Sequence, residues 1–188
     1  MRIRLILPTL LLALAAGCGS GRDRVGSLTP EEHGVYSALL EAAFEPGFFG
    51  SIHVVDHASG SWVEDEPGDV GLSRLPTTLD SSTVRDFASR LRLRLPLADA
   101  GLERVRLVEE KGVEEVIERE RLRQRYPIMP GFRGVAHLSP IGFNADRTQA
   151  MVYLAVACPL CGHGAWYVLE RKPGEPWRIT GTIADWYS

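Results

Sequence analysis

Residues 158–164, Cys-Pro-Leu-Cys-Gly-His-Gly, hold the densest cluster of reactive side chains in the chain. A structural zinc site needs four ligands, and the sequence offers no second C-x-x-C pair to join Cys158, Cys161 and His163. A c-type haem attachment needs C-x-x-C-H, and Gly162 stands where that histidine belongs. A thioredoxin-like pair opens a helix, whose N-terminus lowers the thiol pKa; here glycines and then a strand pattern follow. The remaining reading is a Cys158–Cys161 disulfide inside a hairpin turn, with the glycines supplying backbone freedom. Closing so short a loop contributes only about 2 kcal/mol, so the bridge trims a turn rather than holding the fold. A thiol–disulfide or metal-binding role for Cys158, Cys161 and His163 is the alternative.

His53-Val54-Val55-Asp56-His57 invites a similar test. On a helix the two histidines would share a face. The segment reads as a strand, which sets them about 13 Å apart, too far for one ion, and leaves a pair of partly exposed strand histidines. Glu31-Glu32, Glu109-Glu110 and Glu114-Glu115 are sequence neighbours, which do not share a face on a helix or strand. A glycosidase-like pair would have to be assembled from distant carboxylates. The sequence has no G-x-S-x-G elbow, S-x-x-K, H-E-x-x-H, phosphate loop or dinucleotide fingerprint. No catalytic residue, metal ligand or cofactor is expected.

A third cysteine lies near the start. Arg2 and Arg4 precede the apolar run Leu5 to Ala16, then Ala15-Ala16-Gly17 places small residues before Cys18. This is the order of a secretory signal peptide, and the run is short of the roughly 20 residues a membrane span needs. LAAGCGS resembles the lipobox of bacterial lipoproteins, with Leu14 one place earlier than usual and Ala15 in its position. The resemblance implies that residues 1–17 are removed and that Cys18, acylated, becomes the mature N-terminus. Two or more acyl chains give stable anchoring. Gly19 in place of aspartate resembles lipoproteins sent to the outer membrane, where the host has one.

Assigning Cys18 to lipid accounts for the odd cysteine count and leaves Cys158 and Cys161 as a pair in an oxidising compartment. Without Arg2 and Arg4 the chain keeps 19 basic residues against 24 acidic ones. Its arginines are interleaved with acids or leucines and read as solvated faces. Nucleic acid, which requires a concentrated positive surface, is an unsuitable partner. The expected partner is a membrane, through the lipid, with an envelope protein or polymer beyond it.

The elements behind these residues form one domain over 29–188, after a tether over 18–28 rich in Gly, Ser and Arg. Thr29, Pro30 and Glu32 start a helix whose apolar face is Val35, Tyr36, Leu39, Leu40 and Ala43. Phe48 to Asp56 reads as a strand, residues 58–81 as loop, and Val84, Phe87, Ala88 and Leu91 as a helix face. Arg90 to Leu95 alternates as a strand would. Arg104 to Glu109 reads as strand and Val113 to Gln124 as helix.

Four strands close the chain: Val135 to Phe143, Gln149 to Ala157, Ala165 to Arg171 and Trp177 to Asp185. Residues 144–147 and Pro173-Gly174 are turn chemistry, the latter suited to type II. Met151 to Ala157 is apolar throughout, as a strand covered on both faces must be. Trp166, Trp177 and Trp186 are assigned to core packing. The expectation is an α+β fold with a four-stranded antiparallel meander and helices packed on one face.

This last section resembles a recurring domain of uncharacterised bacterial envelope proteins. The matching positions are Ser139, Gly142-Phe143-Asn144, Gln149-Ala150, Val152-Tyr153, Cys158, Cys161-Gly162, Gly164, Leu169-Glu170, Lys172, Trp177 and Trp186-Tyr187-Ser188. The resemblance implies a shared fold and export, and names no chemistry.

Overall fold

The capping box expected at residue 29 forms and launches the first helix. In the computed structural model, which describes residues 24–25, 27–44, 52–60, 78–97, 102, 105–123, 134–158 and 162–187, the Thr29 backbone N–H donates to Glu32 Oε2 at 2.7 Å. The Glu32 N–H returns a bond to Thr29 Oγ1 at 3.3 Å. Two otherwise orphaned donors are thereby satisfied. Helix α1, Pro30–Ala43, buries Val35, Tyr36, Leu39 and Leu40 along one stripe.

The fold is α+β, with three α-helices and two sheets among the described residues. The strands are β1 Arg24–Val25, β2 Ile52–Val55, β3 His57–Ser59, β4 Leu93–Pro96, β5 Val105–Val108, β6 Val135–Leu138, β7 Gly142–Phe143, β8 Gln149–Ala157, β9 Gly162–Glu170 and β10 Arg178–Tyr187. Helix α2 spans Ser81–Arg90, a 3-10 turn covers Glu110–Gly112, and α3 spans Val113–Arg123. The larger sheet runs β10-β9-β8-β6-β2-β5, with β7 also paired to β8. The smaller runs β1-β4-β3.

The C-terminal strands form the expected antiparallel meander, and β6 joins it antiparallel to β8. Two parallel pairings, β2 with β6 and β2 with β5, extend the sheet and make it mixed. Ser139-Pro140-Ile141 interrupts the expected first C-terminal strand, dividing it into β6 and β7.

Strand β8 explains how the layers stack. Ala150, Val152, Leu154 and Val156 enter the main core with α1 and with Leu95 and Leu97 of the β4 region. Met151, Tyr153 and Ala155 point the other way, against Phe87 of α2 and Trp166. Val55, Val108 and Val135 pack with Val116 of α3. Helices therefore cover both faces rather than one, because a strand apolar on both sides needs two coverings. Trp166 and Trp177 are buried as expected, while the side chains of Trp62 and Trp186 lie outside the description.

Two expectations shift locally. The strand read through Asp56 bends there: the Asp56 N–H donates to Val108 O at 2.9 Å, and Asp56 O accepts from Leu97 N at 2.9 Å. One residue thus serves both sheets, β2 lying in one and β3 in the other. The segment read as a free tether is paired in part, since β1 lies parallel to β4 with Arg24 opposite Leu93 and Val25 opposite Arg94. Further on, Gly174 has φ 81° and Glu175 N donates to Lys172 O at 2.9 Å, the turn expected of Pro173-Gly174.

Candidate functional site

The carboxyl ends of β2 and β5 point the same way, and each delivers a charged or titratable residue at its exit. Asp56 and His57 follow β2; Glu109 and Glu110 follow β5. In open sheets the space beyond the carboxyl ends of parallel strands is where ligands bind. Here it is occupied by a small polar cluster.

His57 is its centre. The side chain is only 6% exposed, and its Nδ1 lies 2.6 Å from Asp56 Oδ1. An Arg94 Nη2 lies 3.2 Å from the same nitrogen. An ionised carboxylate only accepts, so the 2.6 Å contact calls for a proton on Nδ1, and that nitrogen then has no lone pair left to accept from Arg94. His57 Nε2 then faces Glu110 Oε2 at 3.6 Å, and Arg94 Nη2 stands 3.7 Å from that oxygen. Glu110 is half-exposed, which opens the cluster to solvent on one side.

His137, on β6, feels the same groups. Burial pushes its imidazole below the usual histidine range; Glu110 draws it up and His57 pushes it down. Five residues from four chain segments thus meet around His57: Asp56 beside it in sequence, Arg94, Glu110 and His137. An imidazole oriented by a carboxylate, with its second nitrogen beside another carboxylate, can accept, hold and return a proton. It can also hydrogen-bond a polar ligand. Among the described residues, no three His, Cys, Asp or Glu side chains are placed to hold a metal ion.

The segment read as one strand is divided at Asp56, so that His53 lies on β2 and His57 on β3, in different sheets. Sequence spacing missed that His57 is buried and partnered rather than partly exposed. Glu110, Arg94 and His137 had no local signal. Their common address, at or near one end of neighbouring strands, exists only once β2 is known to run parallel to β5 and β6.

The cysteine loop is placed in part. Cys158 directly follows β8 and is half-buried. His163 belongs to β9, opposite Val156 on one side and Tyr187 on the other. Cys161 and Cys18 lie outside the described residues.

No known protein family, curated protein or solved structure matches the chain.

Proposed function

We propose that this chain is an exported lipoprotein, held by acyl chains on Cys18 to a bacterial membrane outside the cytoplasm. Its α+β domain binds or braces another component of the envelope rather than catalysing a reaction. The observation that carries this reading is the order Arg2/Arg4, apolar run, Leu-Ala-Ala-Gly, Cys18. No helix among the described residues is long and apolar enough to cross a membrane, so nothing described competes with the lipid as an anchor. The His57 cluster supports a binding role, because it gathers charge and hydrogen-bonding capacity at a sheet edge open to solvent.

A Cys158–Cys161 bridge belongs to the same reading. Ala157 pairs with Gly162 across the β8–β9 hairpin. By sequence, Cys158 and Cys161 are the first and last of the four residues that join those strands, so a bridge between them would close the connection itself. The thiol-exchange alternative has less support. Gly162, directly after Cys161 in sequence, begins a strand rather than the helix whose N-terminus would stabilise a thiolate.

The test is intact-mass analysis of the protein taken from membranes, with fractionation of a Cys18→Ser variant beside it. The reading expects a chain beginning at residue 18 with added acyl mass, and a variant lost from the membrane fraction. An unacylated N-terminus, or a variant that stays with the membrane as the native chain does, overturns it.

A further inference from the structure

The short strand β1 gives the lipid attachment a direction. β1 lies parallel to β4, with Arg24 opposite Leu93. The chain arriving from Cys18 therefore enters at the end of β4 from which Arg92 leaves, beside the turn that links α2 to β4. Five residues separate Cys18 from Arg24, a reach of at most about 22 Å even when fully extended. A domain attached through β1 is held within that distance of the bilayer at this end.

We infer that the α2–β4 turn, with Arg92 at its tip, is the membrane-facing end of the domain, apposed to anionic lipid headgroups. This rests on the lipoprotein reading of Cys18. The arriving segment agrees with it in charge, since Arg92 is exposed and Arg22 and Arg24 outnumber Asp23. The sequence that follows Gly60, packed on Leu91 of the same turn, carries Glu64, Asp65, Glu66 and Asp69 against Arg74, so the attraction rests on those three arginines alone. Arginines close to an anionic leaflet are attracted to it, and the attraction fades within a Debye length.

The opposite end is equally well defined. Asp80, which caps the start of α2, has its N–H on Gln149 Oε1 at 2.7 Å. Gln149 Nε2 in turn donates to Glu170 Oε1 at 2.9 Å. The turn carrying Glu175 therefore lies beyond the far end of α2, a ten-residue helix about 15 Å long. The His57 cluster is also set back, since it lies toward the carboxyl end of β4, where Pro96 pairs with His57. The anchor thereby holds the cluster away from the headgroups and open to a partner in the surrounding space.

The test uses the acylated protein with a fluorescent amino acid replacing either Ser89, exposed in the last turn of α2, or Glu175. Each is reconstituted into phosphatidylglycerol–phosphatidylethanolamine vesicles containing a headgroup spin-labelled lipid. Quenching at position 89 is expected to exceed that at position 175 several-fold. Arg92→Glu is expected to weaken quenching at 89 in these vesicles but not in purely zwitterionic ones. The double variant Arg24→Pro, Val25→Pro removes both backbone donors of β1 and is expected to equalise the two positions while the protein still floats with the vesicles. Equal quenching in the native chain, an unaffected Arg92→Glu protein, or a difference that survives the double proline variant overturns the orientation alone. Failure of the native chain to float overturns the anchor, and the orientation with it.

Discussion

Arg90, at the end of α2, donates through Nη2 to Glu32 Oε1 on α1 and through Nη1 to Ile141 O at 2.7 Å. The two helices lie on opposite faces of the sheet, so this pair ties them together across the break between β6 and β7. Glu32 is fully buried, and its other oxygen closes the capping box on Thr29. Beside it, Tyr36 donates its hydroxyl to Ser139 O at 2.9 Å, and burial first, Glu32 second, raise its pKa well above the ordinary phenol value.

Glu32→Ala should cost about 3–5 kcal/mol, because it leaves a largely buried guanidinium without its charge partner. Urea unfolding checks this. The double variant Glu32→Leu, Arg90→Met should recover much of the loss, since removing both charges removes the uncompensated one. A double variant as unstable as the single one would show that the carboxylate acts mainly through the Thr29 cap.

Two glycines separate crowding from backbone strain. A Cβ on Gly142 would sit 2.4 Å from Phe87 Cβ and 2.5 Å from its backbone nitrogen. Gly142→Ala should therefore push α2 off the sheet and cost about 1–3 kcal/mol. Gly174 has open space around it but φ 81°, so Gly174→Ala should cost about 1 kcal/mol from conformation alone. Denaturant midpoints of the two variants check the order. Gly174→Ala proving the worse would mean that α2 yields to the added methyl group.

The depressed pKa of His137 makes stability depend on pH in a stated direction. The folded protein binds this proton less readily than the unfolded chain, whose imidazole titrates near the usual ~6.5. The stabilisation is complete above that value. It declines as pH falls through it, and the decline ends only below the folded-state pKa. Thermal melts across that window should show a smaller loss for His137→Gln than for the native chain. Parallel losses in both proteins would assign the acid sensitivity to other groups.

Much of this molecule is legible in order along the chain. Thr29, Pro30 and Glu32 announce α1, since a capping box is a local hydrogen-bond arrangement needing only four residues. The apolar run of β8 announces a strand covered on both faces, and Pro173-Gly174 announces its turn, because the side-chain period and φ preferences act over a few positions.

What the tertiary structure decided depends on pairing between distant segments. The sequence pattern of β2 does not reveal that it runs parallel to both β5 and β6, and that choice brings Glu110 and His137 to His57. Nor does the polar segment around Arg24 announce a strand, because two backbone pairings with β4 leave no periodicity to read. The Glu32–Arg90 pair joins residues 58 positions apart. Local physics shapes each element, while burial and charge pairing among elements determine which side chains meet.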